Sequence, residues 1–174
     1  NVYQPMYTVD FMPSFEQYWQ AFNNLFKTSE IISVSEPLVN TFLGVGGLHG
    51  TPCGSRSMRV TPDGHLKACV YWPDSDLTIA DLAQQKEAVF DTVYFKQTHQ
   101  TPPFCRTCMH IQNCGGGCAA RRKLRNRYDE PDEFCPIYNR TPIQIDGRLS
   151  AAIKPVRTGS ICTTIVRSIL HENE

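Results

Sequence analysis

The chain has 174 residues, 17 basic against 17 acidic side chains, a formal charge of zero and 41% hydrophobic residues. That balance argues against a polyanion partner, which needs clustered positive charge, and no apolar run approaches the roughly 18 residues of a membrane span. The opening Asn1-Val2-Tyr3-Gln4 lacks a basic run followed by an apolar core, so no secretory signal is read there.

Ser14 with Gln17 three residues later forms a capping box, and Phe15, Tyr18, Trp19, Phe22, Leu25 and Phe26 follow at helical spacing. This predicts a helix whose broad aromatic face packs into a core. Ile31, Ile32 and Val34 predict a strand that Pro37 keeps short. Gly44 to Gly50 reads as a loop and a domain boundary. Beyond it, Met58 and Val60 alternate with Arg59, Thr61-Pro62-Asp63-Gly64 makes a turn, and Leu66, Ala68 and Val70 alternate again. The pattern is that of a β-hairpin, with Gly64 accepting positive φ. It sets Cys69 opposite Ser57 with Cys53 just beyond, so two distant thiols meet at the open end.

Thr78 and Asp81 start one or two helices reaching Tyr94, with Leu82, Val89, Phe90 and Val93 inward. Thr101-Pro102-Pro103 ends them, and a short basic helix is predicted from Ala119 to Tyr128, stopped before Pro131. Ile161 to Leu170 fits helix or strand alike. The predicted class is α+β: a small hairpin with helices and cysteine-rich loops.

The eight cysteines carry the chemistry. Seven follow Cys53-x15-Cys69, a gap of 35, then Cys105-x2-Cys108-x5-Cys114-x3-Cys118-x16-Cys135. Such short intervals suit ligands converging on a centre better than disulfides stapling distant elements. A C-x2-C knuckle serves zinc and iron–sulfur sites alike. The Cys114-Gly115-Gly116-Gly117-Cys118 step favours iron, since glycines let the backbone curl close to a bulky inorganic core and aim N–H groups at it. Seven thiols make one complete four-thiolate site and one that is a ligand short.

This arrangement resembles the seven-cysteine SPASM signature, the C-terminal extension of many radical S-adenosylmethionine enzymes. The resemblance spans about residues 53 to 138 and includes the Thr61-Pro62-Asp63-Gly64 turn, the Gly116-Gly117-Cys118 step and Phe134-Cys135-Pro136. It implies two 4Fe–4S clusters with interleaved wiring. Cys105, Cys108, Cys114 and Cys135 would hold the distal one, and Cys53, Cys69 and Cys118 the proximal one. It also implies three regions. Residues 1-50 would be the end of a partial TIM-like barrel and its bridge, 51-138 the auxiliary-cluster domain, and 139-174 a tail. The C-x3-C-x2-C triplet of S-adenosylmethionine cleavage is absent from the sequence. S-adenosylmethionine and a third 4Fe–4S cluster are therefore expected on a preceding N-terminal radical domain. The implied function is electron transfer and peptide positioning in the maturation of a peptide or protein, in the cytoplasm, with an external electron carrier. Nucleic acid and membrane are not expected partners.

Other features have plainer readings. Cys162 is a spare thiol outside the pattern, and His110 is a surface or supporting residue between two cysteines. Arg121, Arg122, Lys123, Arg125 and Arg127 form either a solvated helix face or charge compensation for an anionic cluster. Tyr71 and Trp72 either shield the proximal site or belong to ordinary core. The rival reading of the whole chain is a zinc-binding interaction module, and a third is a stand-alone electron carrier similar to a ferredoxin. Without metal the thiols have no reason to converge, so the metal-free chain is expected to be partly unfolded.

Overall fold

The computed structural model describes residues 4–28, 31–34, 36–43, 53–55, 57–145 and 164–167. The expected Gly44 to Gly50 loop and Cys162 lie outside the described residues. Helix α1 (Phe15–Thr28) begins at the expected box: the Ser14 N–H donates to Gln17 Oε1 at 2.8 Å, and the Gln17 N–H donates to Ser14 Oγ at 3.2 Å. Tyr18, Trp19 and Phe26 are buried, but Leu25 is 46% exposed. At 100° per residue it falls on the margin of a stripe centred on Trp19, Phe22 and Phe26.

After β1 (Ile31–Val34), Pro37 opens a further helix, α2 (Pro37–Phe42), with its fixed φ suited to the first helical position. Leu38 and Val39 of α2 pack with Tyr18, Trp19 and Phe26 in one core, which Cys114 and Phe134 also enter. Tyr18 stacks on Phe134 at 4.1 Å between ring centroids, and Trp19 Nε1 donates to the Phe134 carbonyl at 3.1 Å. The N-terminal helices therefore share a core with the cysteine-bearing loops.

The expected hairpin is present but short. Strands β2 (Arg59–Val60) and β3 (Leu66–Lys67) pair antiparallel, Arg59 opposite Lys67 and Val60 opposite Leu66. Gly64 takes a φ of 86°, which costs glycine no steric clash. The same register, carried two residues on, sets Ser57 opposite Cys69, and a backbone bridge joins Cys53 to Ser57. The chain then turns, with the Trp72 N–H donating to the Cys69 carbonyl at 3.0 Å, so Val70 is exposed and does not continue the alternation.

Thr78 caps α3 (Ile79–Gln85) in a reciprocal box with Asp81. Beyond it the helical frame is broken by Lys86, at a φ of 52°, and a 3₁₀ turn (Lys86–Asp91) leads to α4 (Val93–Gln97). The break changes the inward face: Val89 and Phe95 are buried, while Val93, expected inside, is 74% exposed. Leu82 and Phe90 pack against this second core. The remaining cysteines lie in or at the ends of a 3₁₀ turn (Pro103–Thr107) and the short helices α5 (Ile111–Cys114), α6 (Ala119–Leu124) and α7 (Pro136–Asn139). Helix α6 stops short of Tyr128 because Asn126 takes a φ of 54°. Strand β4 (Thr164–Arg167) pairs antiparallel with β1, so the ambiguous stretch near the C-terminus is a strand there. Among the described residues the architecture is mostly helical α+β with two two-stranded sheets. No helix among the described residues is long and apolar enough to cross a membrane.

Candidate metal centre

Four of the seven cysteines divide between the two cores. Cys114 and Cys135 belong to the core of α1 and α2, whereas Cys69 and Cys118 pack against the core formed by Leu66, Ala68, Trp72, Val89 and Phe95. Between Cys114 and Cys118 the chain crosses from one core to the other. Gly115, Gly116 and Gly117 make the crossing with φ of 63°, 88° and 82°, a run that residues bearing a β-carbon would not tolerate. A β-carbon on Gly116 would meet the Pro102 ring, and one on Gly117 would meet Asp132.

On the first side, Cys105, Cys108, Cys114 and Cys135 all line one small cavity. Its other walls are largely apolar: Leu38 and Phe42 from α2, Ile111 from α5, and Ile137 from α7. His110 also lines it, with its ring 5.3 Å from that of Phe42. Burial pushes the Cys105 thiol up to about 11, helped by Cys135 and opposed by Arg122. It pushes Cys114 up to about 12, although the Gly116 and Gly117 N–H groups favour its thiolate. Cys135 is raised by burial too, against the N–H groups of Tyr138 and Ile137. An apolar chamber thus favours the protonated form of Cys105, Cys114 and Cys135, while backbone N–H groups already face the thiolates that would form at Cys114 and Cys135. A bound metal cation reverses the balance, because a coordinated thiol gives up its proton.

The second side is built differently. Cys53 and Cys69 stand at the open end of the hairpin, and the Thr98 hydroxyl lies 2.9 Å from the Cys53 carbonyl oxygen. Gly54, at a φ of 72°, leaves room for that approach, since a β-carbon there would collide with Thr98. Cys118 reaches this side from the start of α6, its thiol pushed up to about 11 by burial and held down in part by Arg121. Gln4 Nε2 approaches Cys118 Sγ at 4.0 Å, and Gln4 Oε1 is buried with no hydrogen-bond partner. Trp72 is buried in the core beside Cys69 and Cys118. Among the described residues, no three His, Cys, Asp or Glu side chains converge to hold a single metal ion.

The basic run is not a solvated helix face. Arg121 is 1% exposed and Arg122 is 2% exposed. Arg121 lies over the stacked Phe134 and Tyr18 rings, 4.9 and 5.7 Å from their centroids, and is gripped on both sides by carboxylates. Its Nη1 and Nη2 donate to Glu36 at 3.1 and 3.0 Å, and its Nε and Nη2 to Asp132 at 3.1 and 2.5 Å. Burial opposes that charge, but Asp132 and Glu36 overrule it and hold the guanidinium protonated well beyond its ordinary range. Asp132 also accepts the Cys118 N–H at 2.9 Å and the Phe134 N–H at 3.1 Å. Arg125 and Arg127 pair with Glu133 and Glu130 nearer the surface.

Reading the sequence missed Glu36, Asp132, Thr98 and Gln4. Asp132 had a weak signal, an acid three residues before Cys135. The others are joined to their partners across the chain and carry no local pattern. No protein-family model matches this chain, and comparison with curated proteins and with solved structures returns no match.

Proposed function

We propose that this chain binds two 4Fe–4S clusters, one on Cys105, Cys108, Cys114 and Cys135 and one on Cys53, Cys69 and Cys118. In this reading it is the auxiliary-cluster region of a radical S-adenosylmethionine enzyme that modifies peptides. The observation that carries the reading is the common cavity of the four thiols, with Cys118 sent across three glycines to the other core. The donor set fits the group: soft thiols, apolar walls, and backbone N–H groups facing Cys114 and Cys135. The orphaned Arg122 Nε and Gln4 Oε1 are further buried polar atoms beside the two thiol sets.

When bound, the clusters supply one-electron transfer. The chain's own residues hold them, exclude water through Phe42, Ile111 and Ile137 on the first side, and leave the second side one cysteine short. That incomplete set is the natural place for a substrate group or a non-cysteine ligand to approach. The partners are a peptide substrate, an external electron carrier and an N-terminal radical domain carrying S-adenosylmethionine and its own cluster. Helix α1 and strand β1 would then be the end of that domain's barrel.

The test is the content of iron, zinc and acid-labile sulfide after anaerobic purification and reconstitution. About eight irons and eight sulfides per chain are expected for two 4Fe–4S clusters. About two zincs with no sulfide would mean a structural zinc module and would end this reading.

A further inference from the structure

The two buried arginines of α6 differ in one respect. Arg121 is bonded to two carboxylates, Glu36 and Asp132. Arg122 is just as deeply buried, but its bonds go only to backbone carbonyl oxygens: Nη2 donates to Gln100 at 3.1 Å, and Nη1 donates to Tyr128. The Tyr128 ring adds a cation–π contact at 5.4 Å. Its Nε is buried with no hydrogen-bond partner. A guanidinium keeps its charge in proteins, and a buried charge without an opposite charge in contact is costly.

Its position says where an opposite charge would come from. Arg122 lies one helical turn beyond Cys118, its N–H bonded to the Cys118 carbonyl at 3.1 Å. On its other side, its Nη2 is 3.9 Å from where a β-carbon of Gly116 would stand, in the wall of the four-thiol cavity. The charge it feels most is Asp132, which is itself bonded to Arg121, followed by Tyr128, by Cys105 of one thiol set and by Cys118 of the other.

We propose that Arg122 is a cation shared by the two cluster sites, set between them so that its one charge raises the reduction potential of both. This rests on the two-cluster reading above. Thiolate-bound clusters are anionic, and a nearby positive charge favours the reduced, more negative form of each.

The test uses the whole chain, reconstituted anaerobically, with iron and sulfide counted before each redox titration followed by electron paramagnetic resonance. Arg122→Gln should retain both clusters and lower both potentials, each by at least tenfold in the reduction equilibrium, or 59 mV for a one-electron couple. Arg122→Lys should stay close to the parent, and Arg125→Gln, which breaks only the Glu133 pair, should leave both potentials in place. Full clusters with unmoved potentials in Arg122→Gln would overturn the proposal. If Arg122→Gln loses its clusters, Arg122→Lys decides. Retention with parental potentials supports the shared charge, and loss there too assigns Arg122 a purely structural role. Zinc without sulfide in the unaltered chain would instead strike at the cluster reading itself.

Discussion

The two thiol sets are held by different physics. Cys105, Cys108, Cys114 and Cys135 line a chamber walled by α2, and Cys114 and Cys135 also enter the core that α1 and α2 share. Cys69 and Cys118 pack against the second core, but individual contacts also place this set: a backbone bridge at Ser57, the Thr98 hydroxyl, the Asp132 carboxylate and the Gln4 amide. A chamber made by collective packing resists the loss of any one atom. A set placed by individual hydrogen bonds does not, and it is better suited to admit something new.

That contrast is open to breakage, most severely where the two sides join. Arg121→Ala leaves the Glu36 and Asp132 carboxylates buried without their cation. Removing one partner of a buried ion pair costs about 3–5 kcal/mol, and urea unfolding should show that loss together with loss of iron from both sites. Gly117→Ala comes next, since it combines a φ of 82° with a collision at Asp132. The conformation costs roughly 1–2 kcal/mol and the crowding about 1–3 kcal/mol. Thr98→Val should cost about 1 kcal/mol, the size of one lost hydrogen bond. Its signature is selective: the three-cysteine site loses iron in reconstitution while the four-cysteine site fills normally. Equal loss at both sites would erase the distinction drawn here.

A last prediction is a dependence on pH that is silent near neutrality and shows only in alkali. Burial raises Cys105 and Cys118 to about 11 and Cys114 to about 12, from an ordinary value of 9.0. The folded metal-free chain therefore binds protons that the unfolded chain releases. The stability this contributes is complete below about pH 9 and is lost as pH rises through 11 to 12. Metal-loaded protein should lack this alkaline loss, because its thiols are already deprotonated. Thermal melts of both forms between pH 8 and 11 check the sign.

What was legible in the sequence was local. The Ser14 and Thr78 caps, the Gly64 turn and the apposition of Ser57 and Cys69 depend on residues near one another in the chain. Leu25 and Val93 were misplaced because a period identifies a face but not where that face ends or where the helix breaks. The basic run was legible as charge and illegible as burial: Arg121 finds Glu36 at a separation of 85 residues, and no window reveals that. The partition of the cysteines came from a family resemblance, not from their spacing alone. The common cavity of four of them adds a physical reason for it.

The glycine crossing has a mechanical consequence. Cys114 and Cys118 are four peptide steps apart, so their α-carbons can separate by no more than about 14 Å even if the chain were drawn straight. The curl of Gly115, Gly116 and Gly117 shortens that leash further. Neither thiol set can swing away from the other to let a partner in. On the proposed function, any opening that admits a peptide would come from the hairpin arm or the N-terminal segment, with the crossing as its fixed pivot.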